Sequence, residues 1–265
     1  MCEWKRAPEK EKGILVACDQ EQEWLLGWWW ERYSSENSFP VSFVDLGMSQ
    51  TARHWCAAHG EMISADIDAS FVKSKEAIAL EQAQKWEGFY GPTLWTARPH
   101  WFKKPFACLH SPYQKTIWMD LDCEILRPIG DLFAHCSSAA SLALVREYKT
   151  EHLPCLHEEV RYNGGVIVFL HGSTIVSKWA EDAIVRNADF WSDDALLSAL
   201  IYELQCPVVE LSLLYNWRLA QGINMNAVIH HWVGSAGKAY IKKHGGIKRP
   251  IRDLLIDCLP GGDPE

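Results

Sequence analysis

Asp120 and Asp122 close an apolar run in KTIWMDLDCEI, Lys115 to Ile125. Read as a strand, the segment alternates faces, so residues two apart share one side. Both carboxylates then point the same way, roughly 7 Å apart along the chain. Two like charges held that close repel unless one takes a proton or a cation sits between them. The pair is therefore either a cation site or the point where a strand leaves the core for water. A second acid pair, Asp193-Asp194, opens DDALLSAL after Ser192. That pair also reads as an acidic first turn favoured by the helix dipole. Asn163-Gly164-Gly165 opens YNGGVIVF, where glycines permit either a close backbone approach or a turn into a strand. His230 and His231 end the apolar run of NAVIHHWVG.

The elements that must position these groups alternate along the chain. Strands are predicted at GILVACD (13–19), PVSFVDLG (40–47), the run into Asp120, SLALVRE, NGGVIVFLH, PVVEL and NAVIHHWVG. Helices are predicted from Glu21 to Glu36, at SQTARHWCAAHG ended by Gly60, and across 66–89. Further helices are predicted in the second half of RPHWFKKPFACLHSPY, with Pro105 in a first turn, and over STIVSKWAEDAIVRNA and SDDALLSALIYEL, each with a serine cap. Such alternation predicts an α/β domain with a mainly parallel sheet. In open sheets of that class ligands bind beyond the carboxyl ends of the strands. That rule directs attention to Asp19 after the first strand and to Asp120 and Asp122 after the central one. The charged, aperiodic stretch from Arg146 to Tyr162 reads as a loop over the site.

Composition narrows the class. The chain has 265 residues, 48% of them hydrophobic, which suits one large domain. A net charge of -8 argues against a general nucleic-acid binder. No apolar run has transmembrane length, and the charged N-terminus lacks the apolar core of a signal peptide. Nine scattered cysteines, without a C-x-x-C pair, suit reduced thiols in a cytoplasmic protein better than disulfides or zinc. Trp28-Trp29-Trp30 cannot all face one way on a helix, so one ring is expected at the helix edge. Lys238, Lys242, Lys243, Lys248, Arg249 and Arg252 make the C-terminal stretch basic, either simply solvated or set to meet an anionic surface.

Four segments carry a resemblance: WMDLD, YNGGVIVF, DDALLSAL and HWVGSAGK, in that order. Together they resemble the motifs of the retaining, nucleotide-sugar-dependent glycosyltransferases of family 8, the group of glycogenin and the lipopolysaccharide galactosyltransferases. The similarity runs from about Ile14 to Tyr240. It implies a GT-A, Rossmann-like fold over 13–240, with a charged extension at 1–12 and a basic tail at 241–265. It implies a UDP-sugar donor, glucose or galactose, and transfer of the hexose to a glycolipid, glucan or protein hydroxyl. By the same resemblance Asp120, Asp122 and His231 hold manganese, or magnesium in its place. Oxygen ligands with one imidazole nitrogen suit that assignment. His231 is preferred over His230 because Gly234 follows it by three residues.

The resemblance also implies donor contacts from Ala17, Asp19, Lys104, Asp120, Leu121, Asn163, Gly164, Gly165, Gly234 and Lys238. Asp193 and Asp194 fall at the catalytic positions, where the family usually has Asp-Gln. The segment after Gly234 is one residue longer than in the family, so Lys242 or Lys243 could replace Lys238 at the diphosphate. Two other functions use similar parts. A nucleotidyltransferase needs a glycine-rich basic loop after the first strand, whereas CDQEQEW is acidic. A sugar-nucleotide-binding scaffold without turnover would keep the same acids. The oligomeric state stays open; the cysteine pattern and the charged N-terminus suit a cytoplasmic protein, with the basic tail as the route to peripheral contact with a membrane surface.

Overall fold

The computed structural model describes residues 2–147 and 161–247. β1 (Lys10–Cys18) and β2 (Val41–Asp45) flank α1 (Leu26–Ser34), and α2 (Gln50–His59) leads to β3 (Glu61–Ser64). Three helices follow: α3 (Leu80–Tyr90), α4 (Leu94–Trp101) and α5 (Lys104–Cys108). β4 (Tyr113–Met119), β5 (Cys123–Ile125), β6 (Leu142–Arg146) and β7 (Tyr162–Leu170) come next. The chain continues through α6 (Thr174–Arg186), α7 (Asp193–Glu203), β8 (Val208–Leu211), β9 (Trp217–Arg218), β10 (Ile229–His231) and α8 (Gly234–His244).

The main sheet has the order β3-β2-β1-β4-β7-β6-β8. β1 pairs in parallel with β2 and β4, β2 with β3, and β6 with β8. β7 runs antiparallel to both β4 and β6. A small sheet, β5-β10-β9, sits after the end of β4. Strand alternation divides the core in two. Val16, Ile117 and Met119 pack on one face with Trp28 and Trp29 of α1. Leu15, Trp118 and Ile167 pack on the other with Trp179 of α6 and Leu197 of α7. Both faces are covered, so β1, β4 and β7 read as nearly continuous apolar runs. Trp30 is the half-buried ring of its triplet, set edge-on to Trp55 and His59 of α2.

Several elements depart from the sequence expectation. The helix predicted over 66–89 forms only as α3. Asp68 accepts from the Ser70 amide at 2.8 Å, and such side-chain bonds compete with helix start. The helix predicted from Glu21 begins as a 3-10 turn at Glu23–Leu25 before α1. The strand β3 and the helix α4, with Pro99 inside it, were not expected. Ser192 caps α7 through the Ala195 amide, but the Ser173 hydroxyl bonds Ser141 instead of capping α6. α8 runs past residue 240. The N-terminal extension is docked, with Trp4 against Phe169 and His171. Most of the Arg146–Tyr162 loop, and Lys248, Arg249 and Arg252 of the basic tail, lie outside the described residues.

Candidate functional site

The first acid pair is not on a strand. β4 stops at Met119, and the Cys123 amide bonds back to the Asp120 carbonyl at 3.0 Å. Asp120 to Asp122 is therefore a turn between β4 and β5. Alternation does not bring these carboxylates together; the turn and the strand facing it do. His231 ends β10, opposite Cys123. Its Nε2 is 3.2 Å from Asp122 Oδ1 and 3.9 Å from Asp120 Oδ2. His230 points the other way. It stacks on Trp232, and burial pushes its pKa down to about 4.

Two lysines sit on the two acids. Lys104, from α5, is buried rather than at the surface. Its Nζ lies 3.1 Å from Asp120, 3.0 Å from the Gly164 carbonyl and 3.6 Å from Asp193 Oδ2. Burial opposes its charge, but the Asp120 and Asp193 carboxylates outweigh that and raise its pKa. Lys104 thus joins the first acid pair to the second. Lys238, one turn into α8, puts its Nζ 2.7 Å from Asp122 Oδ2. Burial favours the neutral form of Asp122, but Lys238 and His231 hold its carboxyl well below the usual range. Cys123 lies within the same cluster as a possible ligand. Its thiol faces the Gly165 carbonyl at 3.7 Å, and burial, with Asp122 beside it, raises its pKa in the metal-free protein.

Asp193 and Asp194 occupy the first turn of α7 but face different groups. Asp193 is buried, and desolvation raises its pKa to about 7 against the pull of Lys104. Asp194 Oδ1 accepts from the Ser192 hydroxyl and lies 3.7 Å from Arg161 Nη2. Arg161 in turn lies over Trp191 at 4.2 Å. Gly164 runs beside both acids; a Cβ there would lie 3.3 Å from Asp194 Cβ. Gly165 instead faces the imidazole, where a Cβ would fall 2.1 Å from His231 Cε1. Asn163 uses both ends of its amide internally, on Glu147, Asn216 and the Gly165 amide.

At the end of β1, Asp19 accepts from the Gln22 amide at 3.0 Å and meets His100 Nδ1 at 2.7 Å. Burial raises the Asp19 pKa less than His100 and Gln22 lower it. The Asp19 carboxylate correspondingly raises that of His100. Ala17 is half-buried beside it, and Leu121 buries its side chain in the core. Gly234 starts α8 with a φ of +76°. Lys242 lies 4.7 Å from the Trp24 ring, away from the acids. The structure thus gathers Asp120, Asp122, His231, Lys104, Asp193 and Lys238 into one cluster, with Asp19 set apart at the β1 end. Sequence reasoning missed His100, Asn216 and Arg218, which no local pattern singles out, and took Glu147 and Arg161 only as part of the charged stretch from Arg146 to Tyr162.

The fold is found in known structures. The galactosyltransferase LgtC, solved with donor and acceptor sugar analogues, superposes with a TM-score of 0.56 at 12% identity, over 93% of this chain and 100% of LgtC. The glycosyltransferase GlyE of Streptococcus pneumoniae TIGR4 gives 0.55 at 13% identity, over 86% of this chain and 55% of GlyE. Mouse xyloside xylosyltransferase 1 gives 0.51 at 14% identity, over 85% and 97%. The fold is GT-A. At these identities the likeness is one of fold. No family model and no curated protein matches the sequence. In this GT-A frame the β1 and β4 carboxyl ends lie side by side, where open α/β sheets bind ligands. Among the described residues, no helix is long and apolar enough to cross a membrane.

Proposed function

We propose that the protein transfers a hexose from a UDP-sugar, UDP-glucose or UDP-galactose, to an acceptor hydroxyl with retention of configuration. One observation carries this reading: Asp120, Asp122 and His231 converge at the β4 end of a GT-A sheet, joined through Lys104 to Asp193. The donor set suits manganese, or magnesium, because it offers carboxylate oxygens and one imidazole nitrogen. A dication bound there supplies charge neutralisation for the diphosphate leaving group. The chain's own groups do the rest. Asp19 accepts a hydrogen bond from the uracil N–H. Lys238 meets the diphosphate as a point charge once released from Asp122. Asp193 binds donor-sugar hydroxyls. Asp194 faces the reacting carbon and stabilises positive charge developing there. The free thiols of the described cysteines suit a reducing, cytoplasmic location.

A panel of UDP-sugars with and without manganese tests this reading, scored by thermal stabilisation and by release of UDP. One sugar nucleotide should raise the melting temperature by roughly 5–10 °C at about 100 times its Kd, only with metal. Slow hydrolysis of the same donor should follow, and Asp122→Asn should lose both effects with its circular dichroism unchanged. Glycolipid, glucan and protein acceptors then compete for turnover. UDP binding without hydrolysis or transfer would instead identify a sugar-nucleotide-binding scaffold. No response to any sugar nucleotide sinks the proposal.

A further inference from the structure

His231 is held from behind by a buried chain of amides. Its Nδ1 lies 2.9 Å from Asn216 Oδ1. Asn216 Nδ2 donates to Asn163 Oδ1 at 2.8 Å. Asn163 Nδ2 donates to Glu147 Oε1 at 3.0 Å. Glu147 also accepts from Arg218 Nη1 at 2.8 Å and meets Arg161 Nε at 3.0 Å. Glu147, Asn163, Asn216 and His231 are all buried.

The chain has one direction. A carboxylate between two arginines can only accept hydrogen bonds. Asn163 must therefore turn its NH2 toward Glu147 and its oxygen toward Asn216. Asn216 must then give its NH2 to Asn163 and its oxygen to His231. An amide oxygen only accepts, so the proton of a neutral His231 ring belongs on Nδ1. Nε2 is left with a lone pair aimed at the gap between Asp120 and Asp122. Without the chain the opposite tautomer would win, because an Nε2–H could donate straight into Asp122 Oδ1 at 3.2 Å. Gly165 completes the mount. Its amide donates to Asn163 Oδ1 at 2.9 Å, and its missing side chain leaves room for the ring.

We propose that Glu147, Asn163 and Asn216 form a directional relay that selects the Nδ1–H tautomer of His231 and so presents Nε2 to a divalent cation. Asn216 and Glu147 are positioning residues: neither meets the cation or the donor. The value of the relay to catalysis rests on the metal reading above, but the tautomer itself does not.

The test uses the metal-free protein first. Nitrogen-15 spectra of the histidine rings, at a pH where His231 is neutral, report which nitrogen carries the proton. The wild type should show His231 protonated at Nδ1. Asn216→Leu, which removes the acceptor, should move population to Nε2–H. Glu147→Gln should keep Nδ1–H, because its amide oxygen still accepts from Asn163 and the Gly165 amide still holds Asn163 Oδ1. Manganese titration by electron paramagnetic resonance, without any nucleotide, should show affinity falling by about 10–100-fold in Asn216→Leu, the usual cost of a lost outer-shell partner. An Nε2–H ring in the wild type overturns the relay. So does an unchanged tautomer in a folded Asn216→Leu variant. A wild type that shows Nδ1–H yet binds no manganese keeps the relay and removes the metal reading.

Discussion

At the scale of single residues, the site is notable for carrying its own counter-charges. Lys104 lies on Asp120 and Asp193, and Lys238 lies on Asp122. This answers the repulsion expected between two neighbouring acids: each has a cation of its own before any ligand arrives. It also sets up a competition. A dication bound between Asp122 Oδ1 and His231 would share that carboxylate with the Lys238 ammonium on Oδ2 and be repelled by it, and on the proposed reading a diphosphate would offer the lysine a new partner. Lys238→Met should therefore tighten manganese binding in the absence of nucleotide, by roughly fivefold if the ion pair is worth about 1 kcal/mol. The same variant should weaken UDP binding. Paired manganese and UDP titrations check both signs, and a loss of manganese affinity would contradict the competition. The second acid pair divides by surroundings in the same way. Asp193 is desolvated and its pKa raised to about 7, while Asp194 faces Ser192 and Arg161.

Among the elements, β7 does the most to build the site. It enters antiparallel between β4 and β6, and the Asp120 amide bonds the Gly165 carbonyl at 2.9 Å. That register lays Asn163, Gly164 and Gly165 alongside the turn that holds the acids. The two glycines then have different neighbours. Gly165→Ala would place a methyl 2.1 Å from His231 Cε1, so the ring must move. The expected outcome is a stability loss of about 1–3 kcal/mol by denaturant midpoint, together with loss of metal-dependent UDP binding. Gly164→Ala meets Asp194 Cβ at 3.3 Å and the flexible Lys104 end at 3.4 Å, and should be the milder change. Equal effects from the two would argue against Gly165 as the space for the imidazole.

For the whole molecule, the Asp19–His100 pair ties α4 to the end of β1 and makes stability depend on pH. Asp19 is lowered in the fold, so its contribution is present above the unfolded value of about 3.9 and fades as pH falls below it. His100 is raised, so its contribution is complete below about 6.5 and is lost as pH climbs through the raised folded value. The pair therefore stabilises most between about pH 4 and 6.5. Thermal melts of the wild type and His100→Gln should differ most at pH 5.5 and converge toward pH 8.5. A difference that stays constant across that range would remove the ion pair as its cause.

The sequence by itself determined the α/β class and the strands at the heart of the sheet. β1, β4 and β7 are covered on both faces, so burial writes them as continuous apolar runs that need no partner to be recognised. WMDLD was legible for the same reason, as charge placed abruptly after such a run. Only the tertiary structure decided how the acids meet. It made Asp120–Asp122 a turn, sent His231 toward them and His230 away, and set Lys238 on Asp122 across 116 positions of chain. It also threaded Glu147, Asn163 and Asn216 into a line behind His231. Local patterns record burial and backbone preference. The pairing of lone polar residues from distant, irregular stretches depends on strand order and register, and no spacing along the chain encodes that.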